Sequence, residues 1–226
     1  TGPFTTSTLQ QTSSSKLGFG ASRTMQIAQR LYQGIDIEGE TVGLITYIRT
    51  DGTNLSKDAV ASFRNFITQN YGETYLPPSP LNYSGKKAKN AQEAHEAIRP
   101  TEITRVPEEM KKYLSTDQYK LYNLIWSRSL SSQMESAKFD RKTITITSED
   151  NKNICKASGS TLKFDGFLKV SRLDENKDDE NILPDVDKGN VEFKDFTDEQ
   201  HFTQPPPRYS EASLVKKLEE LGIGRP

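Results

Sequence analysis

A tyrosine, an arginine and an aspartate alternate along one short stretch of the chain, at Tyr47, Arg49 and Asp51. The residues around them are mostly β-branched or aromatic, which predicts a strand-like segment rather than a helix. Because successive side chains of an extended chain point to opposite faces, we expect these three side chains on one face, with Ile48 and Thr50 on the other. One face of the segment is therefore rich in groups that could do chemistry.

The tyrosine hydroxyl limits that chemistry, because its ordinary pKa is about 10. It is a poor nucleophile at neutral pH unless a neighbour stabilises the phenolate or removes the proton. The guanidinium of Arg49 is always charged and matches phosphate oxygens with two parallel hydrogen bonds. Tyr47 and Arg49 together therefore suit attack on a phosphodiester. The spacing alone leaves a second interpretation open, in which Tyr47 is an ordinary strand residue and Arg49 and Asp51 form a solvated ion pair.

Longer strings of residues bear on that choice. They are ITYIRTDGTNLS at 45–56, AQEAHEAIRPT at 91–101, FTQPPPRYSEASLVKKLEELGIGRP at 202–226 and TSTLQQ at 6–11. Together they resemble the type IA DNA topoisomerases, and they stand in the order that this family has. One position departs from the pattern, since Gly52 stands where the family commonly has serine. We expect the glycine to loosen the turn without changing the chemistry.

The resemblance implies ATP-independent breakage, strand passage and rejoining of single-stranded DNA, which relaxes negatively supercoiled DNA through a 5′-phosphotyrosyl intermediate. By position, Tyr47 would be the nucleophile, Arg49 the clamp on the scissile phosphate and His95 a further catalytic residue. Arg49, Asp51, Arg99 and Arg225 match positions expected to contact DNA. The absence of a GxxxxGK[ST] phosphate loop agrees with chemistry that needs no ATP.

The resemblance also implies a cofactor and partners. In the intact enzyme, Mg²⁺ would be bound by acidic residues of a domain that is absent here, so we expect no metal site in this chain. We interpret the chain as an internal fragment that carries the nucleophile and a gate, and we expect it to be inactive alone. Its partners would be single-stranded and negatively supercoiled DNA and the remaining domains of the parent chain.

His95 is one of only two histidines in the chain. Alanines between 91 and 97 predict a short helix that Pro100 ends, and His95 and Arg99 would share one face of it. A surface or packed histidine is the plainer interpretation. In the family, however, the histidine of this string lies beside the tyrosine, where a group that titrates near neutrality can move protons.

Helical patterns precede about residue 134 and strand-like patterns follow it, which predicts an α+β fold. The resemblance makes this a mostly helical domain inserted into a β-rich arch domain. We predict the end of the arch domain at 1–4, the helical tyrosine domain at 5–135, the arch domain again at 136–205, and the start of a DNA-binding helical domain at 206–226. Within these, we predict helices capped by Ser22, Ser56 and Ser210, a helix from 116 with Trp126 in the core, and strands near 143–147, 154, 162–170 and 191–193.

Composition adds weaker constraints. The 226 residues are 33% hydrophobic and 27% charged, with a net charge of −1, so charge neither supports nor contradicts a nucleic-acid partner. Lys86, Lys87 and Lys89 lie in a segment without hydrophobic periodicity, which is usually a solvated loop, and contact with DNA is the alternative interpretation. The single Cys155 has no second cysteine for a disulfide or metal site. No apolar run approaches the roughly 20 residues of a membrane helix, and we expect a bacterial cytoplasmic protein at the nucleoid.

Two other classes of protein stay open at this point. Tyrosine recombinases and type IB enzymes also use a tyrosine on DNA, but they place their arginines and histidine before it, whereas Tyr47 precedes His95 and Arg99. The position of the attached DNA end would separate the two classes. The other possibility is a single-strand-binding module in which Tyr47 never reacts.

Overall fold

A computed structural model describes residues 1–83, 95–171, 182–192, 194–195 and 197–223 of the chain. The helices α1 to α7 and strands β1 to β4 follow in order, with a 3-10 turn at Glu73–Tyr75: α1 Thr6–Leu17, α2 Ala21–Gln33, β1 Ile35–Ile37, β2 Glu40–Val42, α3 Lys57–Tyr71, α4 Pro107–Met110, α5 Thr116–Ser131, β3 Lys138–Thr147, β4 Ile154–Phe164, α6 Leu168–Ser171 and α7 Glu211–Glu220. Both pairs, β1 with β2 and β3 with β4, are antiparallel hairpins. The α+β prediction is confirmed.

The structure divides into two compact units. The first contains Thr1–Ser136, Asp165–Leu173 and Tyr209–Pro226, and the second contains Ala137–Phe164 and Asp174–Arg208. Every helix named above lies in the first unit, and the β3–β4 hairpin lies in the second. The domain boundaries inferred from the resemblance stay a prediction.

Local signals explain where most helices begin. The side chain of Ser56 accepts a hydrogen bond from the amide of Ala59, and Ser210 caps α7 in the same way, as predicted. Thr5 and Ser115 form capping boxes with the third residue of α1 and α5. The predicted cap at Ser22 is wrong, because α2 begins one residue earlier and Gly20 occupies its N-cap position without a side-chain hydrogen bond.

A carboxylate from α7 compensates for the missing cap of α2. The amide of Ala21 donates a hydrogen bond of 2.8 Å to Oε2 of Glu211. A Cβ atom at residue 20 would lie 2.7 Å from the same oxygen, so glycine makes room for it. Gln11 of α1 also donates to Glu219 of α7 at 3.3 Å. Helix α7 thus docks on the amino-terminal helices of the first unit, where a negative group suits the start of a helix.

The core of the first unit forms around α5. Leu121, Tyr122, Ile125 and Trp126 are all at most 4% exposed. The Trp126 ring meets the ring of Phe66 edge-on at 5.7 Å, and its N–H donates to the backbone oxygen of Ile103 at 2.9 Å. The prediction that Trp126 belongs to the core is confirmed, since a buried indole needs such a partner for its N–H.

The second unit is built on one long hairpin. Its ladder pairs β3 with β4 from Lys138 opposite Phe164 to Thr147 opposite Ile154. Strand character ends at Phe164, so the predicted strand over 162–170 is wrong in its second half, where 168–171 form the short helix α6. Val191 lies outside any strand, and Phe193 is outside the described residues. None of the described helices has the length and apolar character needed to cross a membrane.

Candidate active site

The segment that carries Tyr47 runs antiparallel to residues 97–101. The amide of Thr46 donates to the backbone oxygen of Arg99 at 2.9 Å, and the amide of Thr101 donates to that of Leu44 at 3.0 Å. The Thr46 hydroxyl adds a bond of 2.8 Å to the oxygen of Ala97. The prediction of a strand-like segment rather than a helix is confirmed, although its pairing is a single isolated bridge between Ile45 and Pro100 and not a regular strand.

On its other side the segment is held by the first residue of α1. The hydroxyl of Thr6 donates to the backbone oxygen of Ile48 at 2.8 Å and accepts from the amide of Thr50 at 2.8 Å. The backbone amide of Thr6 donates to the oxygen of Thr50 at 2.9 Å. Thr6 is 1% exposed, so these bonds are shielded from water. The change of partner from 97–101 to Thr6 explains why no continuous ladder forms.

The predicted alternation of side chains is present. Ile48 and Thr50 are 2% and 3% exposed, whereas Tyr47 is 38% exposed and Arg49 and Asp51 are exposed. Because Ile48 and Thr50 are buried, the side chains of Tyr47, Arg49 and Asp51 point outward. Arg49 makes no hydrogen bond or ion pair with any residue in the described part of the chain.

Two aromatic rings contact Tyr47. The ring of His95 has its centroid 5.1 Å away at an interplanar angle of 52°, and the ring of Tyr32 meets it edge-on at 5.5 Å. The structure thus brings His95 to Tyr47, as the resemblance implied. The route differs from the prediction, because residues 95–101 are not helical, and residues 91–94 lie outside the described residues.

Arg99 is already occupied by neighbours. Its Nε donates to Oε2 of Glu96 at 2.7 Å, its Nη1 donates to the backbone oxygen of Pro100 at 3.0 Å, and its side chain is only 13% exposed. Burial by itself raises the pKa of the Glu96 carboxyl, but hydrogen bonds from Arg99 and Ser56 and the Arg99 charge outweigh it and leave that pKa below its ordinary value. Glu96 therefore ties Arg99 to the start of α3.

Gly52 lies directly against the backbone of His95. A Cβ atom at residue 52 would lie 2.5 Å from the His95 backbone oxygen and 3.2 Å from Oγ1 of Thr50. The amide of Gly52 donates to that same Oγ1 at 3.0 Å. We expected this glycine to loosen the turn, but it permits a close approach between the Tyr47 segment and the chain at His95.

Asp51 is exposed on the same face as Arg49, two positions further along, and makes no contact with the Tyr47 ring among the described residues. Arg225 lies outside the described residues, and so do Lys86, Lys87 and Lys89. Cys155 is exposed on β4 of the second unit.

Three residues of the site escaped the sequence analysis: Tyr32, Thr6 and Glu96. Tyr32 lies four positions after the buried Ala28 on α2, yet it is 38% exposed. Thr6 was named only as the first residue of the string TSTLQQ. Glu96 was visible only as part of the string HEAIRP. Tyr32 and Thr6 act through contacts with distant parts of the chain, and Glu96 joins its neighbour Arg99 to the distant Ser56; local spacing does not report these distant contacts.

The described residues do not form a metal site. Within 1–83, 95–171, 182–192, 194–195 and 197–223, no group of three or more His, Cys, Asp or Glu side chains could hold a metal ion. The residues present therefore do not fit Mg²⁺. The expectation that a separate domain binds it stays a prediction.

The whole chain is similar to known DNA topoisomerases. The family model described as DNA topoisomerase matches residues 1–226. The chain is 56% identical over 228 residues to DNA topoisomerase 1 of Rickettsia felis, covering 99% of this chain and 29% of that protein. It is 49% identical over 234 residues to DNA topoisomerase 1 of Xylella fastidiosa, covering 99% and 28%.

A solved structure agrees with these relatives. Full-length topoisomerase I from Thermotoga maritima superimposes with a TM-score of 0.77 at 40% identity, and the match covers 99% of this chain and 35% of that one. The chain spans less than a third of the length of the curated relatives, at 29% and 28%. What these proteins share with this chain is therefore the region that contains Tyr47, His95 and the helices around them.

Proposed function

The chain belongs to the DNA topoisomerase family, and on that premise we propose that its parent protein breaks and rejoins one DNA strand through Tyr47. The observation that carries the proposal is the exposed Tyr47 ring beside His95, on the same face as an arginine without a described partner. The resemblance noted above supports the finer assignment to the type IA class. It also supports single-stranded and negatively supercoiled DNA in the bacterial cytoplasm as the substrate.

The proposed reaction exchanges one phosphodiester for another. The Tyr47 oxygen attacks the scissile phosphorus, a new bond to the 5′ phosphate forms, and the bond from phosphorus to the 3′ oxygen breaks. The phenol proton is lost, and the departing 3′ oxygen gains one, so the step is neutral in protons. Attack by that 3′ hydroxyl on the phosphotyrosine reverses every change. The phosphoester bond is retained throughout, and no ATP is needed.

The residues of this chain have separate roles in that scheme. Arg49 would bind the non-bridging oxygens of the scissile phosphate, where negative charge builds up in the transition state. His95, whose ring contacts the Tyr47 ring, would accept or relay the phenol proton or donate to a bound phosphate. Asp51, Arg99 and Arg225 would contact or orient the DNA. The described residues hold no Mg²⁺ site, so we assign the metal-binding carboxylates to other domains of the parent protein.

The test is to trap the covalent complex of the full-length parent protein with a single-stranded oligonucleotide. We expect label at the 3′ end of the oligonucleotide to become attached to protein, and label at the 5′ end to appear in a free, shorter strand. Tyr47→Phe should form no adduct and should still bind DNA, because it loses only the hydroxyl. The matched control is Tyr113→Phe, which removes the hydroxyl of a tyrosine bound to Glu38.

Other outcomes would point to the other classes of protein. Attachment of the 5′-labelled strand to protein would indicate the 3′-phosphotyrosine chemistry of tyrosine recombinases and type IB enzymes. Tight binding of single-stranded DNA with no adduct from the wild-type protein would indicate a binding module. An adduct that persists in Tyr47→Phe would show that another residue is the nucleophile.

A further inference from the structure

Tyr32, in the last turn of α2, contacts the ring of the proposed nucleophile. The two rings meet edge-on, with centroids 5.5 Å apart and planes inclined at 67°. We propose that Tyr32 is a positioning residue for strand cleavage, which holds the Tyr47 ring in the orientation from which its hydroxyl attacks the phosphate. This inference rests on the proposed function and adds a residue that neither the motif strings nor the periodicity indicated.

The support for Tyr32 is rigid. Helix α2 buries Ile27, Ala28 and Leu31, with Leu31 at 0% exposure. The helix ends at Gly34, whose amide bonds back to the oxygen of Arg30 at 3.1 Å. Tyr32 therefore projects from a packed helix end rather than from a loop. A side chain on such an element holds a reacting group more precisely than one on a loop.

The backbone of the Tyr47 segment is seated on the same helix end. The amide of Leu44 donates to the backbone oxygen of Leu31 at 2.8 Å. A Cβ atom at residue 43 would lie 2.8 Å from the backbone oxygen of Tyr32, so only glycine allows this approach. Both the main chain before Tyr47 and its ring are thus located by the last turn of α2.

The Tyr47 ring needs such a contact because it is 38% exposed. A partly exposed tyrosine has several staggered side-chain orientations available, and most of them point the hydroxyl away from a bound phosphate. An edge-to-face aromatic pair favours one arrangement, and the strength measured for such pairs corresponds to about a two- to twelvefold preference. His95 contacts the same ring at 5.1 Å, so the orientation is restrained by two neighbours.

The contact depends on the ring of Tyr32 and not on its hydroxyl. Within the described part of the chain, that hydroxyl makes no hydrogen bond. Phenylalanine at this position keeps the edge-to-face pair, whereas leucine keeps apolar bulk and loses the aromatic interaction. These two variants separate positioning through the ring from general packing.

The experiment uses the full-length protein and compares Tyr32→Phe, Tyr32→Leu and Tyr32→Ala. It measures the single-turnover rate of adduct formation at saturating enzyme, and the Kd for the same oligonucleotide. We expect Tyr32→Leu and Tyr32→Ala to lower the saturating rate about two- to twelvefold with an unchanged Kd. Tyr32→Phe should retain most of the rate. Tyr113→Leu, which alters a partly exposed tyrosine with no ring contact to Tyr47, is the matched control.

Two results would overturn the inference. If Tyr32→Leu formed the adduct at the wild-type rate, the contact between the two rings would have no role in cleavage. An unchanged saturating rate with a weakened Kd would instead make Tyr32 a base-stacking contact for DNA. Wild-type and Tyr47→Phe proteins are measured in parallel. If the wild-type protein forms no adduct, or if Tyr47→Phe forms one, the proposed function itself is refuted, whatever the result for Tyr32. Thermal melting of each variant confirms that the rates refer to folded protein.

Discussion

Two arginines lie near Tyr47, and their surroundings differ. Arg49 is exposed and has no partner among the described residues, whereas Arg99 is 13% exposed and bound to Glu96 and to the oxygen of Pro100. A guanidinium without a partner can donate two parallel N–H hydrogen bonds to the oxygens of a phosphate. Arg99 would have to share its charge with a carboxylate. Arg49 is therefore the better candidate for the scissile phosphate, and Arg99 for holding the site together.

We expect Arg49→Ala in the full-length protein to lower the cleavage rate about 10²- to 10³-fold, the usual loss when one transition-state donor is removed. Binding of single-stranded DNA should weaken much less. The cleavage rate of Arg49→Lys should lie between those of wild type and Arg49→Ala, because lysine keeps the charge but cannot make two parallel hydrogen bonds to a phosphate. Single-turnover cleavage and Kd are the measurements, with Arg23→Ala, an exposed arginine paired with Asp117, as the control. Equal losses in rate and binding would make Arg49 a plain binding residue.

The pairing of Glu96 predicts a pH-dependent contribution to stability. Its folded-state pKa is lowered, so the unfolded chain binds its proton more readily than the folded one. The contribution is then present above the ordinary glutamate pKa of about 4.3 and is lost as pH falls through the lower folded value. Glu96→Gln should be less stable than wild type at pH 7, and the difference should shrink towards pH 3. Denaturant unfolding at several pH values measures it, and a difference that grows in acid would contradict the assignment.

At this scale the sequence predicted the outward face of Tyr47, Arg49 and Asp51, because alternation follows from backbone geometry alone. It also led to His95, through the resemblance of the string around it. Tyr32 and Glu96 could not be found this way. The Tyr32 contact depends on how the end of α2 approaches the Tyr47 segment, and the contact of Glu96 with Ser56 depends on how the start of α3 approaches residue 96. The ion pair of Glu96 with Arg99 is local, but the spacing alone does not show that it belongs to the site.

The Tyr47 segment gets its shape from the helices beside it rather than from a sheet. The end of α2 binds its beginning through Leu31, the start of α1 binds its middle through Thr6, and Ser56 at the start of α3 follows its turn. The segment is therefore fixed at three separate points by contacts with the helices.

Thr6 tests this arrangement. Thr6→Val keeps the shape and removes a buried hydroxyl that donates to Ile48 and accepts from Thr50, so we expect the free energy of unfolding to fall by about 1 to 3 kcal/mol. Thr6→Ser should recover most of the loss. Chemical denaturation of the chain measures both, and Thr12→Val, a partly exposed threonine of the same helix, is the control. A Thr6→Val variant as stable as wild type would show that these bonds contribute little.

Helix boundaries were the most predictable part of the elements. Ser56 and Ser210 are caps because their side-chain oxygens satisfy amides that the helix leaves unpaired. Ser22 failed as a cap because Glu211, 190 positions from Ala21 along the chain, supplies the acceptor at the start of α2. The helix predicted around His95 failed because residues 97–101 pair with the Tyr47 segment instead. In both failures a tertiary contact replaced a local preference.

For the whole molecule, we expect the isolated chain to bind single-stranded DNA weakly and to cut neither single strands nor supercoiled plasmid. The reason is that cleavage also needs groups that protonate the 3′ oxygen or bind a metal, and the described residues offer no metal site. The 30 Lys and Arg side chains are offset by 31 Asp and Glu side chains, so we expect few of them to neutralise phosphates at once and the salt dependence of Kd to be shallow.

The measurement is incubation of the purified chain with labelled single strands and with supercoiled plasmid, each with and without Mg²⁺. The full-length parent protein is the positive control. Relaxation or a covalent adduct from the chain alone would show that the catalytic acids lie within these 226 residues.

The bond between Ala21 and Glu211 has a consequence for the order in which the protein folds on the ribosome. The two residues are 190 positions apart. At a synthesis rate of about 5 to 20 residues per second, Glu211 emerges roughly 10 to 40 s after Ala21. Until then the first turn of α2, the helix whose other end supports Tyr32 and the Tyr47 segment, lacks the acceptor of the Ala21 amide. A nascent chain halted before residue 211 should accordingly show faster amide hydrogen exchange in the first turn of α2 than the released chain.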